Sequence, residues 1–249
     1  MKRRKLPHLT PRLTAILATA LLAACVALGL ATRASLTDFN NDSDALDSLP
    51  YVIDSQRSET LSYDTNKEAL DSAEVVLVAT CRGRGTYVYQ SFLRELEVVE
   101  VLRGSGEQAG DLIYTYDNLA IEEPRNYSGK GQFSAQREVV QMGLGPNARG
   151  AAPLRDGQTY LIFLARIEGL SSTDEPRYIQ VHSVYAHVAL DGPGHPERVR
   201  IRGSAQNGDI ETIPFCEARE FDAFVCDEDC RGLYLDTSRQ ILNCFGIAG

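Results

Sequence analysis

The sequence predicts a mainly β fold in which five to six short antiparallel strands close into a barrel. Apolar or alternating segments recur between residues 74 and 202, turn residues separate them, and almost no helical periodicity lies among them. Short strands joined by turns are typical of antiparallel barrels, because closure removes the exposed edges of the sheet.

The first two strands form a predicted β-hairpin over residues 74–104. An apolar run at 75–79 leads to a predicted turn at Gly83 and Gly85, and the following segment alternates apolar with charged residues. Residues 118–157 are rich in Pro and Gly, which indicates a long loop or insertion, and such loops are often functional. The other predicted strands are 111–116, 160–165, 178–190 and 198–202.

Length and charge narrow the possible functions. The chain has 249 residues and 43% hydrophobic content, enough for one domain with a real core. Its formal charge is -9, but residues 1–34 carry six basic side chains and no acidic one, so the remainder is at -9 - 6 = -15. A domain this acidic repels nucleic acid and anionic lipid headgroups. Cations or basic protein surfaces are therefore the expected partners.

Residues 1–34 are predicted to be a signal or anchor segment. Five cations precede nineteen uncharged residues, 13–31, and one cation follows, which predicts a cytoplasmic N-terminus and an extracytoplasmic domain. A helix of that length rises about 29 Å, enough to cross the hydrocarbon core, so the segment could stay as an uncleaved anchor.

Two other fates of this segment remain open. The run Leu22-Ala23-Ala24-Cys25 resembles the lipobox of bacterial lipoproteins, in which the cysteine is lipidated, although residues 26–31 stay apolar where a polar tether is usual. Conventional cleavage near Ala34 is the third possibility. All three place the chain at the extracytoplasmic face of the cell membrane. The next segment, 35–72, has a composition that predicts a mobile acidic linker.

The cysteines other than Cys25 are candidates for disulfides, because the domain is predicted to lie outside the cytosol. Four of the five fall in a short helical, Cys-rich tail predicted at 203–249, in which residues 217–225 are predicted to form one or two turns of helix. Two of these, Cys226 and Cys230, are four residues apart and are predicted to lie on one helix face, too far apart to bond to each other. Each is therefore expected to pair with Cys216 or Cys244. A zinc site built from the four tail cysteines is the competing hypothesis, although their spacing lacks C-x2-C pairs. The candidates are Cys81, Cys216, Cys226, Cys230 and Cys244.

Three segments carry a resemblance to a known family. Ala73-Glu74 opening an apolar strand, the pentapeptide E-V-L-R-G at 100–104, and L-R-D-G-Q-T-Y-L-I-F-L at 154–164 are similar to bacterial extracytoplasmic OB-fold-like domains. Those domains in turn resemble the inhibitory domain of tissue inhibitors of metalloproteinases and netrin modules. The resemblance covers residues 73–191, and it implies a five-stranded barrel with a binding role. Inhibitors of that family chelate zinc through an N-terminal Cys-x-Cys motif, which this chain lacks, so no inhibitory residue carries over.

Enzymatic chemistry finds little support. The hydrolase motif Gly-x-Ser-x-Gly and a phosphate loop are absent, and His182 and His187, on one predicted strand, point to opposite faces and cannot share a metal. We therefore predict no enzymatic activity, no cofactor and no metal.

The leading hypothesis is a membrane-tethered extracytoplasmic binding module with a protein partner or cell-surface ligand and no nucleic acid. Its expected binding surfaces are the barrel loops, residues 127–147 of the insertion, or a patch of strand tyrosines. The alternatives are an inhibitor of an extracellular protease and an enzyme whose site the sequence does not reveal. The tyrosines of the patch are Tyr87, Tyr89, Tyr114 and Tyr116.

Overall fold

The computed structural model describes residues 11–35, 39–53, 57–88, 91–122, 139–142, 152–167, 177–202 and 211–247. The chain divides into two compact units, Met1–Asp42 and Ser43–Gly249. The first unit contains helix α1 (Pro11–Ser35), in which Cys25 and its described neighbours are exposed. Nowhere in the described part of the chain does a helix reach the combined length and hydropathy that crossing a bilayer requires. Whether this segment directs or anchors the chain stays a prediction.

The second unit is built mainly from strands. Its described strands are β1 (Pro50–Val52), β2 (Val75–Val88), β3 (Ser91–Arg103), β4 (Leu112–Tyr116), β5 (Leu119–Glu122), β6 (Val139–Met142), β7 (Thr159–Arg166), β8 (Arg177–Gln180), β9 (His187–Ala189), β10 (Val199–Ile201), β11 (Thr212–Pro214) and β12 (Ala223–Val225). Its described α-helices are α2 (Ser43–Asp47), α3 (Ser58–Leu61), α4 (Tyr63–Asp71), α5 (Phe215–Ala218) and α6 (Glu228–Cys244).

Five of these strands close into a barrel. The order is β2, β3, β4, β8 and β7, and β7 pairs back with β2. Neighbours are antiparallel except β4 and β8, which run parallel. The predicted mainly β, barrel-like fold is therefore confirmed, and the closed barrel is consistent with an OB-like fold.

The hairpin that opens the barrel is also confirmed, but its turn lies elsewhere. Strand β2 continues through Gly83 and Gly85, where the turn was predicted, and pairs with β3 as far as Val88. The two glycines have φ of 68° and 83°, and the register shifts just after Arg82, so they form a β-bulge. A Cβ atom on Gly85 would lie 2.6 Å from Cδ of Arg94, so both the backbone conformation and the space require glycine there.

The segment predicted as an acidic linker is folded over much of its length. Helices α2, α3 and α4 and strand β1 occupy its described part, and Leu46, Tyr51, Leu61 and Leu70 are buried. Strand β1 pairs with β11 and β6, so it joins the insertion and the C-terminal tail in a second, four-stranded sheet. Glu59, Asp64 and Glu68, which stand between these apolar positions, are exposed, which is why composition alone indicated a linker.

The C-terminal third departs from the predicted strands in two places. The strand predicted at 178–190 is two strands, β8 and β9, separated by a bend and turn. The strand predicted at 198–202 is β10, and it pairs in parallel with β12 outside the barrel. Its partner β12 occupies the end of a segment predicted as helix, 217–225, of which only the start belongs to α5. The short helical Cys-rich tail takes the form of α5 and α6.

Two apolar clusters lie on opposite faces of β2 and β7. One fills the barrel and includes Val75, Leu77, Leu96, Ile113 and Ile162. The other lies outside it, where Val76, Leu161 and Phe163 pack with buried residues of α3, α4 and α6. Because both faces of these strands are buried, their sequences read as continuous apolar runs.

Candidate functional site

Alternate residues of β3, β4 and β8 point away from the barrel interior and form one surface, which we call the outer face. The pleat of a strand makes successive side chains point to opposite faces. The intervening residues Phe92, Leu96 and Ile113 accordingly point inward and are buried. In the register between strands, Glu97 lies opposite Leu112, Glu95 opposite Tyr114, and Tyr116 between Leu93 and Ile179. The outer face consists of Leu93, Glu95, Glu97, Val99, Leu112, Tyr114, Tyr116, Arg177 and Ile179.

In the described part of the second unit, apolar exposure is concentrated on this face. Among the described residues outside α1, the exposed large apolar side chains are Val99 (51%), Leu112 (50%) and Ile179 (47%). Tyr114 and Tyr116 are half-buried between them. Tyr114 donates a hydrogen bond to Oε2 of Glu95 at 3.4 Å, so the apolar patch has an acidic border. Exposed apolar side chains that cluster inside a polar border are typical of interaction surfaces.

A groove of about 480 Å³ adjoins one end of the outer face. Leu112 belongs to both surfaces, so the groove and the apolar patch are continuous. Two acidic side chains, Glu107 and Asp111, and one basic side chain, Arg166, line the groove together with Tyr178. A concave site with a few converging polar groups beside an apolar surface is the usual form of a ligand-binding site.

Glu107 organises the polar side of this groove. Its Oε1 accepts hydrogen bonds from Arg166 Nη2 at 2.5 Å and from the Tyr178 hydroxyl at 2.6 Å. Burial alone would raise the pKa of Glu107, but these two hydrogen bonds outweigh it and hold the pKa below its usual value. Burial, together with the hydrogen bond to Glu107, raises the pKa of Tyr178 to about 12. Glu107 is therefore ionised and Tyr178 neutral near pH 7.

A buried ion pair lies at the other end of the barrel interior. Arg94 points inward from β3, and its Nε is 3.6 Å from Oδ2 of Asp117. Its Nη2 donates to the Leu154 carbonyl at 2.5 Å and to Sγ of Cys81 at 3.2 Å. Burial outweighs the attraction of Arg94 and raises the pKa of Asp117 to about 6. Sequence reasoning missed this pair, although the signal was there, because an arginine stands at an inward position of an alternating strand.

The cysteines do not assemble as predicted. All six are free thiols; Cys81 is buried in the barrel, whereas Cys216 and Cys244 are exposed. The prediction that Cys226 and Cys230 are too far apart to bond to each other is wrong, because their sulfurs are 3.0 Å apart. Cys226 precedes the helix rather than lying on it. Of the proposed zinc ligands, these two alone come together, with Asp227 as a third donor.

The two histidines predicted on one strand lie in different environments. His187 is buried on β9, where its Nδ1 is 2.8 Å from Oε1 of Gln180 and its ring packs edge-on against Tyr160. His187 is therefore a buried strand residue, whereas His182 is exposed in a bend between strands, so the prediction that both lie on one strand is wrong. Burial, with the nearby charges of Arg155 and Arg94, lowers the pKa of His187 to about 3. It is a neutral core side chain.

The predicted tyrosine patch is found in part. Tyr114 and Tyr116 lie on the outer face, whereas Tyr87 packs against Phe92 with ring centroids 5.8 Å apart. Tyr89 and most of the 118–157 insertion lie outside the described residues.

Comparisons of the chain with protein-family models, with curated proteins and with solved structures gave no match. The resemblance to extracytoplasmic OB-fold-like domains therefore stays a prediction.

Proposed function

We propose that this chain is an extracytoplasmic binding module, held at the membrane by its N-terminal segment, that binds a protein partner through the outer face. The observation that carries the proposal is the concentration of exposed apolar side chains on β3, β4 and β8, continuous with a charged groove. Apolar and aromatic anchors inside a polar border supply most of the affinity in protein interfaces.

Charge indicates the chemistry of the partner. Residues 35–249 carry a formal charge of -9 - 6 = -15, and the outer face and groove hold four acidic side chains (Glu95, Glu97, Glu107 and Asp111) against two basic ones (Arg166 and Arg177). A partner with a basic border around an apolar centre matches this surface, and an acidic partner or a nucleic acid is repelled. We therefore expect binding to weaken as the salt concentration rises.

Membrane attachment rests on the sequence of residues 1–34 and has its own test. The intact mass of the chain, measured in membrane extract and in soluble material, distinguishes the three fates. The mass of a chain that starts at a diacylated Cys25 identifies a lipoprotein, and the mass of a chain that starts at Met1 identifies an uncleaved anchor. A chain that starts near Ala34 and is found in soluble material alone would contradict tethering.

The binding proposal is tested by placing a photoreactive residue on the outer face at Ile179, in cells that produce the chain. The matched control carries the same residue at Thr212, which is exposed on β11. We expect a discrete crosslinked product from position 179 and none from position 212. In the same cells Leu112→Asp should abolish the product, because a charge at the centre of an interface costs about 2 kcal/mol or more, about thirtyfold in affinity.

Two results would contradict the proposal. Equal crosslinking from both positions would mean that the outer face contacts nothing specific. A product from position 179 that survives Leu112→Asp would mean that the apolar patch does not contribute to the contact. Protease inhibition is a weaker proposal, since no described contact favours it and the chain lacks Cys-x-Cys.

A further inference from the structure

Cys226 and Cys230 face each other across the connection between β12 and α6. Cys226 follows the last residue of β12, and Cys230 lies in the first turn of α6. Asp227 is the N-cap of α6, and its Oδ1 accepts a hydrogen bond from the Cys230 backbone N–H at 2.8 Å. The cap fixes the entry of the helix and holds the two sulfurs 3.0 Å apart.

Two ligand chemistries use a thiol pair at this separation. Sulfur atoms in a disulfide are about 2.05 Å apart, so bonding needs an approach of about 1 Å. Two thiolates on a tetrahedral zinc with Zn–S bonds of about 2.3 Å are about 3.8 Å apart, so zinc needs them to separate. The separation alone does not decide between the two.

Ligand number and the helix dipole favour the disulfide. Among the described residues, the cluster offers three donors, Cys226, Asp227 and Cys230, whereas a structural zinc site takes four. One carboxylate oxygen of Asp227 is already used in capping the helix. The site also lies at the N-terminus of a 17-residue helix, where the dipole opposes a bound cation. A disulfide needs no further ligand and adds no charge.

We propose that Cys226 and Cys230 form an intramolecular disulfide, a redox site that joins the end of β12 to the first turn of α6. The inference does not depend on the proposed binding function. It replaces the expectation that each of these cysteines pairs with Cys216 or Cys244, both of which are exposed.

Formation proceeds by exchange with a small disulfide such as oxidised glutathione. The Cys226 thiolate attacks one sulfur, the small disulfide bond breaks, and one glutathione leaves as a thiol after taking a proton from solvent. Cys230 then loses its proton to solvent and attacks the Cys226 sulfur, and the mixed disulfide releases the second glutathione thiol. Two protein thiols are oxidised, and one small disulfide is reduced to two thiols.

The order of attack follows from exposure. Cys226 is half-buried, whereas Cys230 is 3% exposed, so an external disulfide reaches Cys226 first. Burial, with the hydrogen bonds to Cys226 and Asp227, raises the pKa of the Cys230 thiol, so Cys230 acts second, as the resolving thiol.

The test uses the tryptic map of the full-length chain. Cleavage after Arg219 and Arg231 releases residues 220–231, which contain Cys226 and Cys230 and no other cysteine, while Cys216 and Cys244 fall on separate peptides. The chain is incubated with oxidised glutathione, quenched in acid, alkylated with N-ethylmaleimide and digested. We expect peptide 220–231 to be lighter by two hydrogen atoms, with maleimide labelling at least about tenfold lower than in the reduced sample.

Two cysteine variants and a zinc assay complete the experiment. In Cys230→Ser the resolving thiol is absent, so Cys226 should retain one glutathione, whereas Cys216→Ser should leave the disulfide in 220–231 unchanged. A parallel sample is treated with a chelator and assayed for zinc. Full maleimide labelling of both cysteines after oxidation would overturn the proposal. So would a disulfide from either cysteine to Cys216 or Cys244, or one bound zinc whose removal exposes both thiols.

Discussion

Replacing His187 with glutamine tests whether the buried histidine makes the fold sensitive to acid. His187 is buried beside Gln180 and Tyr160, and its folded-state pKa is lowered from 6.5 to about 3 by burial and by nearby Arg155 and Arg94. Below pH 6.5 the unfolded chain therefore takes up a proton that the folded chain does not. This group's contribution to stability is full above pH 6.5 and is lost as the pH falls toward 3.

The two pKa values give the size of the effect. With an unfolded-state pKa of 6.5 and a folded-state pKa of about 3, His187 lowers the free energy of unfolding by about 2 kcal/mol between pH 7.5 and pH 5. Because pH 5 lies well above the folded-state pKa, this loss depends mainly on the unfolded-state value. Asp117 and Asp222 act in the opposite direction, since burial raises the pKa of each to about 6 and the folded chain then binds the extra proton.

Comparison of parent and variant removes those opposing contributions, because both chains contain Asp117 and Asp222. Urea unfolding is followed by far-UV circular dichroism, as the chain has no tryptophan. Glutamine keeps a polar group for the contact with Gln180. We expect the parent to lose about 2 kcal/mol more than His187→Gln between pH 7.5 and pH 5. The exposed His182→Gln is the matched control and should follow the parent. The same pH dependence in His187→Gln and the parent would refute the reasoning.

Three further substitutions test other parts of the fold by urea unfolding at pH 7.5. Arg94→Met should cost about 3–5 kcal/mol, because it leaves the carboxylate of Asp117 buried without its partner; a loss below about 1 kcal/mol would show that the pair is not needed. Gly85→Ala should cost at least about 1 kcal/mol more than Gly83→Ala, since both glycines have positive φ but the Cβ atom clashes only at Gly85, and equal losses would contradict the bulge geometry. Asp227→Ala should cost about 1 kcal/mol through loss of the α6 N-cap, and an unchanged midpoint would mean that the cap contributes nothing.

The barrel strands were predictable because their signals are local. The apolar run at 75–79 and the alternation of β3 follow directly from burial on both faces or on one face of a strand. The turn was misplaced because Gly83 and Gly85 serve a bulge, and a positive φ is needed equally in a turn and in a bulge. Glycine alone does not distinguish the two.

Two of the features that sequence reasoning missed depend on distant contacts, and one depends on a local helix cap. Strand β1 has three residues and becomes a strand by pairing with β11 and β6, which lie far away in the chain. The predicted helix at 217–225 ends early because its last residues pair with β10. The Cys226 and Cys230 thiols meet because Asp227 caps α6, which places Cys226 outside the helix instead of on its face. In the first two cases tertiary pairing overrides local propensity, whereas in the third a local N-cap sets where the helix begins.

The distribution of covering elements gives the outer face its significance. A five-stranded barrel exposes the outside of every strand, and here α3, α4 and α6 bury the outside of β2 and β7 through Leu161 and Phe163. No described helix of the second unit packs on the apolar patch formed by Val99, Leu112 and Ile179, which keep about half of their surface in water. Because this apolar area stays in water, the fold lacks the stabilisation of about 25 cal/mol per Å² that its burial would give. Polar substitutions there should therefore cost the fold little, whereas the same substitutions should abolish partner binding.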